Sequence, residues 1–473
     1  MRNFTAVAFS WDATYLFAGS SSSDFTAVHV KHKVMHSTTV CGSNGVTSIV
    51  AKRTREGDRL ILGCGDGLIT VLEGTRNGAQ TCRTYDKGPA DRCAVMLDGK
   101  VSALCVHNVD ETNGEVRILA GTEHGTLYAV QLSVPDYRAA AAPPAQTRVL
   151  QQSHYDKVIA VAYPRDTSET FATASADGTI RIWDVNTYSV TCEGKCQVSV
   201  TGEPLCLDFT GEAIFSGWED GRIRAHEAEE AEELWSIDNC HRGGVYACVA
   251  SNNRKFLVSG GFEGEVRVWE IRTREMVVNL KQHTMSVTSL KLLPDDSGVY
   301  SASRDRTILL WDLRSETREK YMIQRMGGIN CIDLIAPDSD KLVSVGQEKH
   351  LTTWLADESN PISMGALGNS PPMGEQMCVT STLAPGLPNS LQYTLIATGG
   401  AGDCRVRLWR FGPGNSLTPQ VIALGEGHSS TIRSIKFAPD GKQLVSVGED
   451  GACLVWNLFV EEIFPECFAN APA

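Results

Sequence analysis

The stretch TFATASADGTIRIWDV, residues 170–185, holds two runs with alternating apolar residues, joined by Ala-Asp-Gly, and has Trp183 near its end. Alternation with a period of two predicts β-strands, and Asp-Gly tolerates the positive φ that a tight hairpin needs. The same arrangement recurs five times downstream. In each copy a tryptophan occupies the same place in the last strand: Trp269, Trp311, Trp354, Trp409 and Trp456.

The spacing of these tryptophans defines a repeat. Trp183 and Trp269 are 86 residues apart, which is two periods of 43, and the midpoint falls on His226 in AIFSGWEDGRIRAHE, residues 213–227. The later steps are 42, 43, 55 and 47 residues, and an insertion around 365–375 lengthens the third of them. A period of about 40 to 45 residues that ends in a Trp-Asp-like strand is typical of WD40 blades. We therefore predict seven blades over residues 147–461.

Upstream of residue 147 the period continues without the tryptophan, in segments 4–30, 45–73 and 101–132. Ten repeats exceed the four to eight blades usual for one ring, so the chain should divide. We expect an all-β WD40 β-propeller fold: one complete seven-bladed ring and a partial propeller of about three blades. The predicted domains are a partial propeller at 1–134, an Ala/Pro-rich linker at 135–146, the ring at 147–461 and a C-terminal tail at 462–473.

The ring needs a closing contact between its first and last repeats. We expect TRVLQQ, residues 147–152, to form the outer strand of the last blade beside ACLVWNL, residues 452–458. Such a strand would remove the exposed edge of that blade.

Four blades carry a histidine just before their first strand. A catalytic role is conceivable, but a buried polar group must find partners, and the turn Asp, a strand Ser or Thr and the Trp indole supply them. In the first blade the partners of His154 would be Asp177, Thr173 or Ser175, and Trp183. The residues predicted for this structural network are His154, Asp177, Trp183, His241, Trp269, His283, Asp305, Trp311, Trp354, Trp409, His428, Asp450 and Trp456.

Residues 213–271 go beyond this general pattern. SGWEDGRIRA, then His-Arg-x-Gly-Val at 241–245 and then SGGFEGEVRVWEI resemble the cilia- and flagella-associated protein 52 family, as do FAGSSSSDF, AGTEHGTLYAV and GHSSTIRSIKFAPDGKQLVSVGEDGACLVW. The resemblance implies a scaffold of the axoneme of motile cilia and flagella, a microtubule inner protein that contacts tubulin and other axonemal proteins. Members of the family have two seven-bladed propellers, so we expect this chain to lack about four N-terminal blades.

Composition excludes several other classes. The net charge of −13 disfavours a nucleic-acid or anionic-membrane surface, and the 15 scattered cysteines suggest reduced core thiols. No nucleophile elbow, phosphate loop or zinc helix occurs. We expect no enzyme activity, cofactor, metal or small-molecule substrate. The alternative to a ciliary scaffold is a general WD40 adaptor of the cytoplasm, which the blade pattern supports equally well.

Overall fold

The computed structural model describes residues 3–10, 12–40, 42–53, 58–76, 83–87, 94–110, 115–133, 145–195, 202–335, 341–361, 363–364, 374–386, 393–412 and 419–464. The chain forms two units, Met1–Tyr155 and Asp156–Ala473. The regular structure of the described residues is antiparallel β-sheet plus one short helix, α1 (Val460–Ile463). The predicted all-β fold is confirmed.

The described part of the first unit forms three sheets, numbered here as blades 1 to 3. Blade 1 consists of β1 (Phe4–Phe9), β2 (Tyr15–Ser20), β3 (Asp24–His29) and β4 (Val34–Val40). Blade 2 consists of β5 (Val46–Arg53), β6 (Asp58–Cys64), β7 (Leu68–Arg76), β8 (Arg83–Lys87) and β9 (Ala94–Met96), and both β8 and β9 pair with β7. Blade 3 consists of β10 (Val101–Asp110), β11 (Glu115–Thr122), β12 (Thr126–Ser133) and β13 (Gln146–Gln152).

The second unit begins with blades 4 to 7, each a four-stranded meander. Blade 4 consists of β14 (Val158–Ala162), β15 (Thr170–Ser175), β16 (Thr179–Asp184) and β17 (Ser189–Lys195), and blade 5 of β18 (Pro204–Phe209), β19 (Ala213–Trp218), β20 (Ile223–Glu227) and β21 (Glu233–Ile237). Blade 6 consists of β22 (Val245–Ala250), β23 (Phe256–Gly261), β24 (Glu265–Glu270) and β25 (Met276–Lys281), and blade 7 of β26 (Val287–Leu292), β27 (Gly298–Ser303), β28 (Thr307–Asp312) and β29 (Thr317–Ile323).

Blades 8 to 10 complete the second unit. Blade 8 consists of β30 (Ile329–Leu334), β31 (Lys341–Gly346), β32 (Thr352–Leu355) and β33 (Ser363–Met364), and blade 9 of β34 (Gln376–Leu383), β35 (Thr394–Gly400), β36 (Arg405–Phe411) and β37 (Gln420–Glu426). Blade 10 has three strands among the described residues: β38 (Ile432–Phe437), β39 (Gln443–Gly448) and β40 (Cys453–Asn457).

The hydrophobic core of the second unit lies between neighbouring blades. Each of its seven apolar clusters joins two adjacent blades, and one of them joins blade 10 back to blade 4. In that closing cluster Val158 and Val161 of β14 are buried with Val445 and Val447 of β39. Seven blades with seven interfaces form a closed ring, which confirms the predicted seven-bladed propeller.

The predicted closing strand is wrong. Gln146–Gln152 pairs antiparallel with β12 and completes blade 3 instead of joining β40 of blade 10. Because β12 lies only a dozen or so residues upstream, β12 and β13 form a meander joined by a short connection, the usual pairing of strands adjacent in sequence. The ring is therefore closed by side-chain packing between β14 and β38–β39.

The first unit is an open arc, with two interblade clusters for its three described blades. The glycine Gly260 of β23 shows how a closed interface is built: a Cβ at that position would lie 2.6 Å from Val287 of the next blade. The corresponding Gly121 of β11 has no described atom within 4 Å of an added Cβ. At the other end of the arc, Phe4 and Val7 of β1 are 61 % and 58 % exposed. The predicted partial propeller of three blades is confirmed.

Three predicted segments fall largely outside the described residues. They are the linker, of which only 145 and 146 are described, most of the 365–375 insertion, and the tail beyond residue 464. Phe464, near the start of that tail, is fully buried against Tyr393 of blade 9, with ring centroids 5.0 Å apart. Among the described residues, no helix has the length and apolar character that crossing a membrane requires.

Candidate functional site

A buried chain of hydrogen bonds runs across blade 7. The Trp311 indole N–H donates to Ser301 Oγ at 2.8 Å, Ser301 Oγ lies 2.8 Å from His283 Nε2, and His283 Nδ1 lies 3.0 Å from the Asp305 carboxylate. Because the carboxylate only accepts, Nδ1 carries the proton and Nε2 accepts from the serine hydroxyl. The turn, the strands and the loop before β26 are thereby joined in one network.

This arrangement has the connectivity of a Ser-His-Asp triad, so its burial decides its role. Ser301 is fully buried and His283 is 4 % exposed. Burial of Asp305 opposes ionisation, but hydrogen bonds from His283 and Thr307 outweigh it and lower the pKa of the carboxyl to about 2. A serine whose oxygen already accepts from an indole, and which no substrate can reach, is placed to fix the fold instead of attacking a substrate.

Blade 10 repeats the network of blade 7. His428 Nδ1 lies 3.0 Å from Asp450, its Nε2 lies 2.8 Å from Ser446 Oγ, and Trp456 donates to the same serine at 2.8 Å. Hydrogen bonds from backbone amides and from His428 outweigh burial and lower the pKa of Asp450.

Blades 4 and 6 contain variations of the network. In blade 6, His241 Nε2 lies 2.8 Å from Ser259 Oγ, and Trp269 donates to that oxygen at 2.9 Å, but the turn acid is Glu263. In blade 4, Trp183 donates to Thr173 Oγ1 at 2.8 Å.

The turn aspartate of blade 4 makes the same hydrogen bonds to a following threonine as Asp305 makes in blade 7. Asp177 accepts from the Thr179 amide at 2.9 Å and from its hydroxyl at 2.6 Å. The predicted partner His154 is buried, 5 % exposed, and belongs to the first unit, whereas Asp177 and Trp183 belong to the second.

The three remaining blades keep the tryptophan bond with other partners. Trp354 donates to Ser344 Oγ at 2.9 Å in blade 8, and Trp409 donates to Thr398 Oγ1 at 3.1 Å in blade 9. In blade 5, His226 stands opposite Ile214, in the register position of the missing tryptophan, and its Nε2 lies 3.1 Å from Ser216 Oγ. Trp218 of β19 donates to that same oxygen at 2.8 Å, so an indole still reaches the serine from another strand.

Two of these histidines are uncharged at neutral pH. Burial lowers the pKa of His226 to about 4, assisted by the positive charge of Arg224. Burial and the nearby Arg267 likewise lower the pKa of His241 to about 4. Neutral, buried imidazoles are suited to fixed hydrogen bonds.

Arginines on the third strands pair within their own blades. Arg224 lies 2.7 Å from Asp220, Arg407 contacts Asp403, and Arg181 lies 4.0 Å from Asp177. All three guanidinium groups are buried, with exposed side-chain fractions of at most 4 %. Removing one partner of such a buried pair is strongly destabilising, so these arginines belong to the framework of the blades.

The central channel contains a polar layer that the sequence analysis missed. The first strands of the blades contact one another around the ring, and four charged residues occupy the same register position on them: Asp208, Lys291, Asp333 and Lys436. Lys291 Nζ lies 2.8 Å from Asp333, and Arg165 lies 3.3 Å from Asp208. At this level, ion pairs therefore join neighbouring blades around the channel.

The lysines of this layer differ in charge environment. The attraction of Asp333 outweighs burial and raises the pKa of Lys291, whereas the positive charge of Lys291, followed by burial, lowers the pKa of Lys436. These four residues fall in one column only when the first strands are aligned at their β-bulges. The tryptophan repeat aligns the third strands and does not fix the register of the first strands.

One face of the ring carries exposed apolar and basic side chains. The turns between second and third strands contact the loops that lead into first strands, as in the Arg304 N–H to Ser286 carbonyl bond of 3.1 Å. On these loops of blades 6 to 8, Phe262 is 55 %, Met285 53 % and Met326 59 % exposed. Exposed arginines flank them, and we define the basic apolar surface as Arg242, Phe262, Met285, Arg306, Arg325 and Met326. Exposed apolar side chains flanked by arginines make this surface a candidate site for protein binding.

Comparison with known proteins agrees with the repeat. The family model "WD domain, G-beta repeat" matches residues 145–184, 232–270, 274–312 and 420–457. These ranges include Trp183, Trp269, Trp311 and Trp456.

Curated relatives extend over almost the whole chain. Cilia- and flagella-associated protein 52 of Homo sapiens is 26 % identical over 461 residues, which cover 94 % of this chain and 64 % of the relative. The protein of the same name from Chlamydomonas reinhardtii is 26 % identical over 464 residues, covering 96 % and 67 %. The WD repeat-containing protein 90 of Homo sapiens is 25 % identical over 81 % of this chain and 21 % of its own length. The chain thus spans a little under two thirds of the length of human cilia- and flagella-associated protein 52.

Proposed function

From this WD40 β-propeller fold and the likeness to cilia- and flagella-associated protein 52, we propose that the chain is a non-catalytic scaffold of motile cilia and flagella. It acts as a microtubule inner protein, stabilising the axonemal doublet through contacts with tubulin and neighbouring ciliary proteins. The main support for this proposal is the extent of the alignment: relatives with that name, from mammals and from Chlamydomonas reinhardtii, align with 94 to 96 % of the chain.

The chemistry of the site supports a scaffold. Within the described residues, the hydroxyl, imidazole and carboxylate groups that could form a triad are buried in the blade networks, and the charged groups around the channel are paired between neighbouring blades. A closed ring gives a rigid support, and loops on a rigid support are the usual carriers of binding residues.

The basic apolar surface is the contact that we assign to tubulin. Arg306 and Arg325 are exposed there, although the whole chain carries a net charge of −13. A local basic patch on an acidic protein selects an acidic partner by electrostatic complementarity, and the exposed Phe262, Met285 and Met326 supply apolar area to bury. We therefore propose that the basic apolar surface binds an acidic surface of tubulin.

Fractionation of cilia tests the proposed location. The tagged chain is expressed in ciliated cells, the axonemes are washed with high salt, and the residual doublets are blotted. Retention in the doublets supports the scaffold, and recovery in the cytosol with none in washed axonemes contradicts it.

Charge reversal tests the proposed surface. The double variant R306E/R325E should be retained far less than the unchanged chain, because like charges then face the acidic partner. The matched control is R272E, at an exposed arginine in the turn between β24 and β25, which lies at the opposite end of the blade. If both variants are retained equally, the basic apolar surface does not contact tubulin.

A general WD40 adaptor is the second candidate, favoured by the match to WD repeat-containing protein 90 over 81 % of the chain. The fold alone serves both functions. Purification of the tagged chain with soluble complexes that lack tubulin would select this candidate.

A further inference from the structure

Four buried acceptor oxygens on blades 8 and 9, near the junction of the two blades, lack a hydrogen-bond donor. They are both carboxylate oxygens of Glu348, Oδ1 of Asn330 and Oε1 of Gln376, judged against the described residues. Glu348 is 5 % exposed, Asn330 6 % and Gln376 0 %. A buried acceptor without a donor costs about 1 to 3 kcal/mol, more when it is charged, so an unpaired group of four needs an explanation.

These side chains are held in place by their other contacts. Asn330 Nδ2 lies 3.0 Å from Glu375 Oε1 and 2.7 Å from the Gln376 carbonyl oxygen, so the donor side of this amide is used. Gln376 Nε2 donates to the Gly374 carbonyl at 3.1 Å. With both amide nitrogens occupied, the orientation of each amide is fixed and its oxygen is the unpaired atom.

Glu348 reaches the same junction from the turn between β31 and β32. A methyl group added at Gly346 would lie 2.7 Å from Glu348 Oε2 and 2.2 Å from the Gly328 carbonyl oxygen, so these two oxygens flank one point. Gly328 is two residues before Asn330, at the start of β30. The negative charge of Glu375 also acts on Glu348.

Comparison with blade 7 shows why this carboxylate is unpaired. There the turn acid Asp305 accepts from His283. In blade 8 the place of the histidine is taken by Gln324, whose Nε2 donates to Thr352 at 3.1 Å. The turn acid Glu348 has lost its usual donor, and its side chain is one methylene longer than that of Asp305.

We propose that this junction, lined by Glu348, Asn330 and Gln376, binds a primary ammonium group, such as the end of a lysine side chain presented by a partner protein. Charge selects a monovalent cation. Glu348 and Glu375 contribute two negative charges, and Arg304, 2.9 Å from Glu375, contributes one positive charge. The number of donors fits as well, because an ammonium offers three N–H groups to the three side chains that need them.

The surroundings suit a lysine side chain. Met326, two residues before Gly328, is 59 % exposed and offers apolar surface to the methylene groups of an entering lysine. Burial, together with the charge of Glu375, raises the pKa of Glu348 to about 7 in the unliganded protein. Binding of a cation requires the ionised carboxylate, so affinity should rise with pH across neutrality. This site is independent of the ciliary location, and its failure would leave that proposal intact.

The probe is n-butylammonium, which reproduces the end of a lysine side chain. The melting temperature of the full chain is followed as the probe is raised to about 100 mM, with tetramethylammonium, an equal charge without N–H donors, as the reference ligand. We expect a saturable rise with n-butylammonium alone. The apparent dissociation constant should be about tenfold larger at pH 6 than at pH 8, following ionisation of Glu348.

Two variants assign the effect to the site. E348Q should abolish the saturable rise, and it should fold at least as well as the unchanged chain at pH 8, because a neutral amide removes the buried charge. E263Q, at an exposed glutamate on the same face, should leave the rise unchanged. The proposal is overturned if n-butylammonium gives no saturable rise, if E348Q responds as strongly as the unchanged chain, or if calcium chloride alone gives the saturable, Glu348-dependent rise.

Discussion

At the residue scale, a single hydroxyl organises each blade that has the full network. Ser301 accepts from Trp311 and lies against His283, so it joins the third strand of blade 7 to the loop before its first strand. Ser446 does the same in blade 10. A Ser-to-Ala change therefore leaves two buried polar groups unpaired.

Replacing Ser301 tests this role. S301A should lower the free energy of unfolding of the second unit by about 2 to 4 kcal/mol, because both the indole N–H and the imidazole lose a partner. Urea denaturation followed by circular dichroism measures the change. S315A, at an exposed serine in the same blade, should stay within about 0.5 kcal/mol of the unchanged chain. Equal effects of the two substitutions would refute the role given to Ser301.

The buried histidines predict a pH dependence. The pKa of His241 is about 4 in the folded chain and 6.5 for an exposed histidine of the unfolded chain, so folding is favoured above pH 6.5 and the contribution is lost as pH falls toward 4. Its full size is roughly 3 kcal/mol. In H241Q, the decrease in unfolding free energy between pH 6.5 and 4 should be smaller, measured by denaturation at several pH values. An unchanged decrease would mean that His241 does not resist protonation.

Residue-level prediction from the sequence drew on regular spacing. His283, Asp305 and Trp311 stand at constant distances from the turn, and the structure brings them into one network. The layer of Asp208, Lys291, Asp333 and Lys436 was missed because each residue is ordinary within its own strand. The unpaired Glu348 was missed because its environment depends on Asn330 and Gln376, which no local pattern connects to it.

At the scale of the blade, a knob-and-hole contact spaces neighbouring sheets. Glycines on second strands leave room for the valine or isoleucine that begins the next blade: an added Cβ would lie 2.6 Å from Val245 at Gly217 and 2.8 Å from Ile432 at Gly399. The glycine is required by the close approach, so a methyl group must push the blades apart.

The substitution G260A tests the contact. Its Cβ would lie 2.6 Å from Val287 Cγ1, and the overpacking should destabilise the second unit by about 1 to 3 kcal/mol. G412A is the matched control, since among the described atoms a Cβ there meets only Tyr393 at 3.5 Å, and it should be neutral or slightly stabilising. Thermal unfolding of both variants gives the comparison. A G260A chain as stable as G412A would contradict this packing between blades.

Prediction of strands succeeded better than prediction of their partners. Residues 146–152 form a strand as their pattern indicates, but the strand pairs with β12 and not with β40. An outer strand has the same alternation whichever edge it joins. Which edge the strand joins depends on the connection to the neighbouring strand and on which sheet edge is unpaired. The alternation of apolar residues gives neither.

At the scale of the whole molecule, the closed ring is held by packing between β14 and β38–β39, so the second unit should not need residues 146–152. A chain that begins at Ser153, and thus retains His154, should unfold cooperatively with a melting temperature close to that of the second unit in the full chain. Differential scanning calorimetry measures both. If the shortened chain does not unfold cooperatively, the ring needs the strand of residues 146–152 for its stability.

The proposed function depends on one location, the lumen of the doublet microtubule. Protease accessibility of salt-washed doublets probes that location, because the tubulin wall shields proteins in the lumen. Trypsin is added to intact doublets and to doublets opened by mild detergent, and the tagged chain is followed by blotting beside a known outer-surface protein. We predict protection in intact doublets and cleavage after opening. Cleavage in intact doublets at the rate of the outer-surface protein would contradict a luminal scaffold.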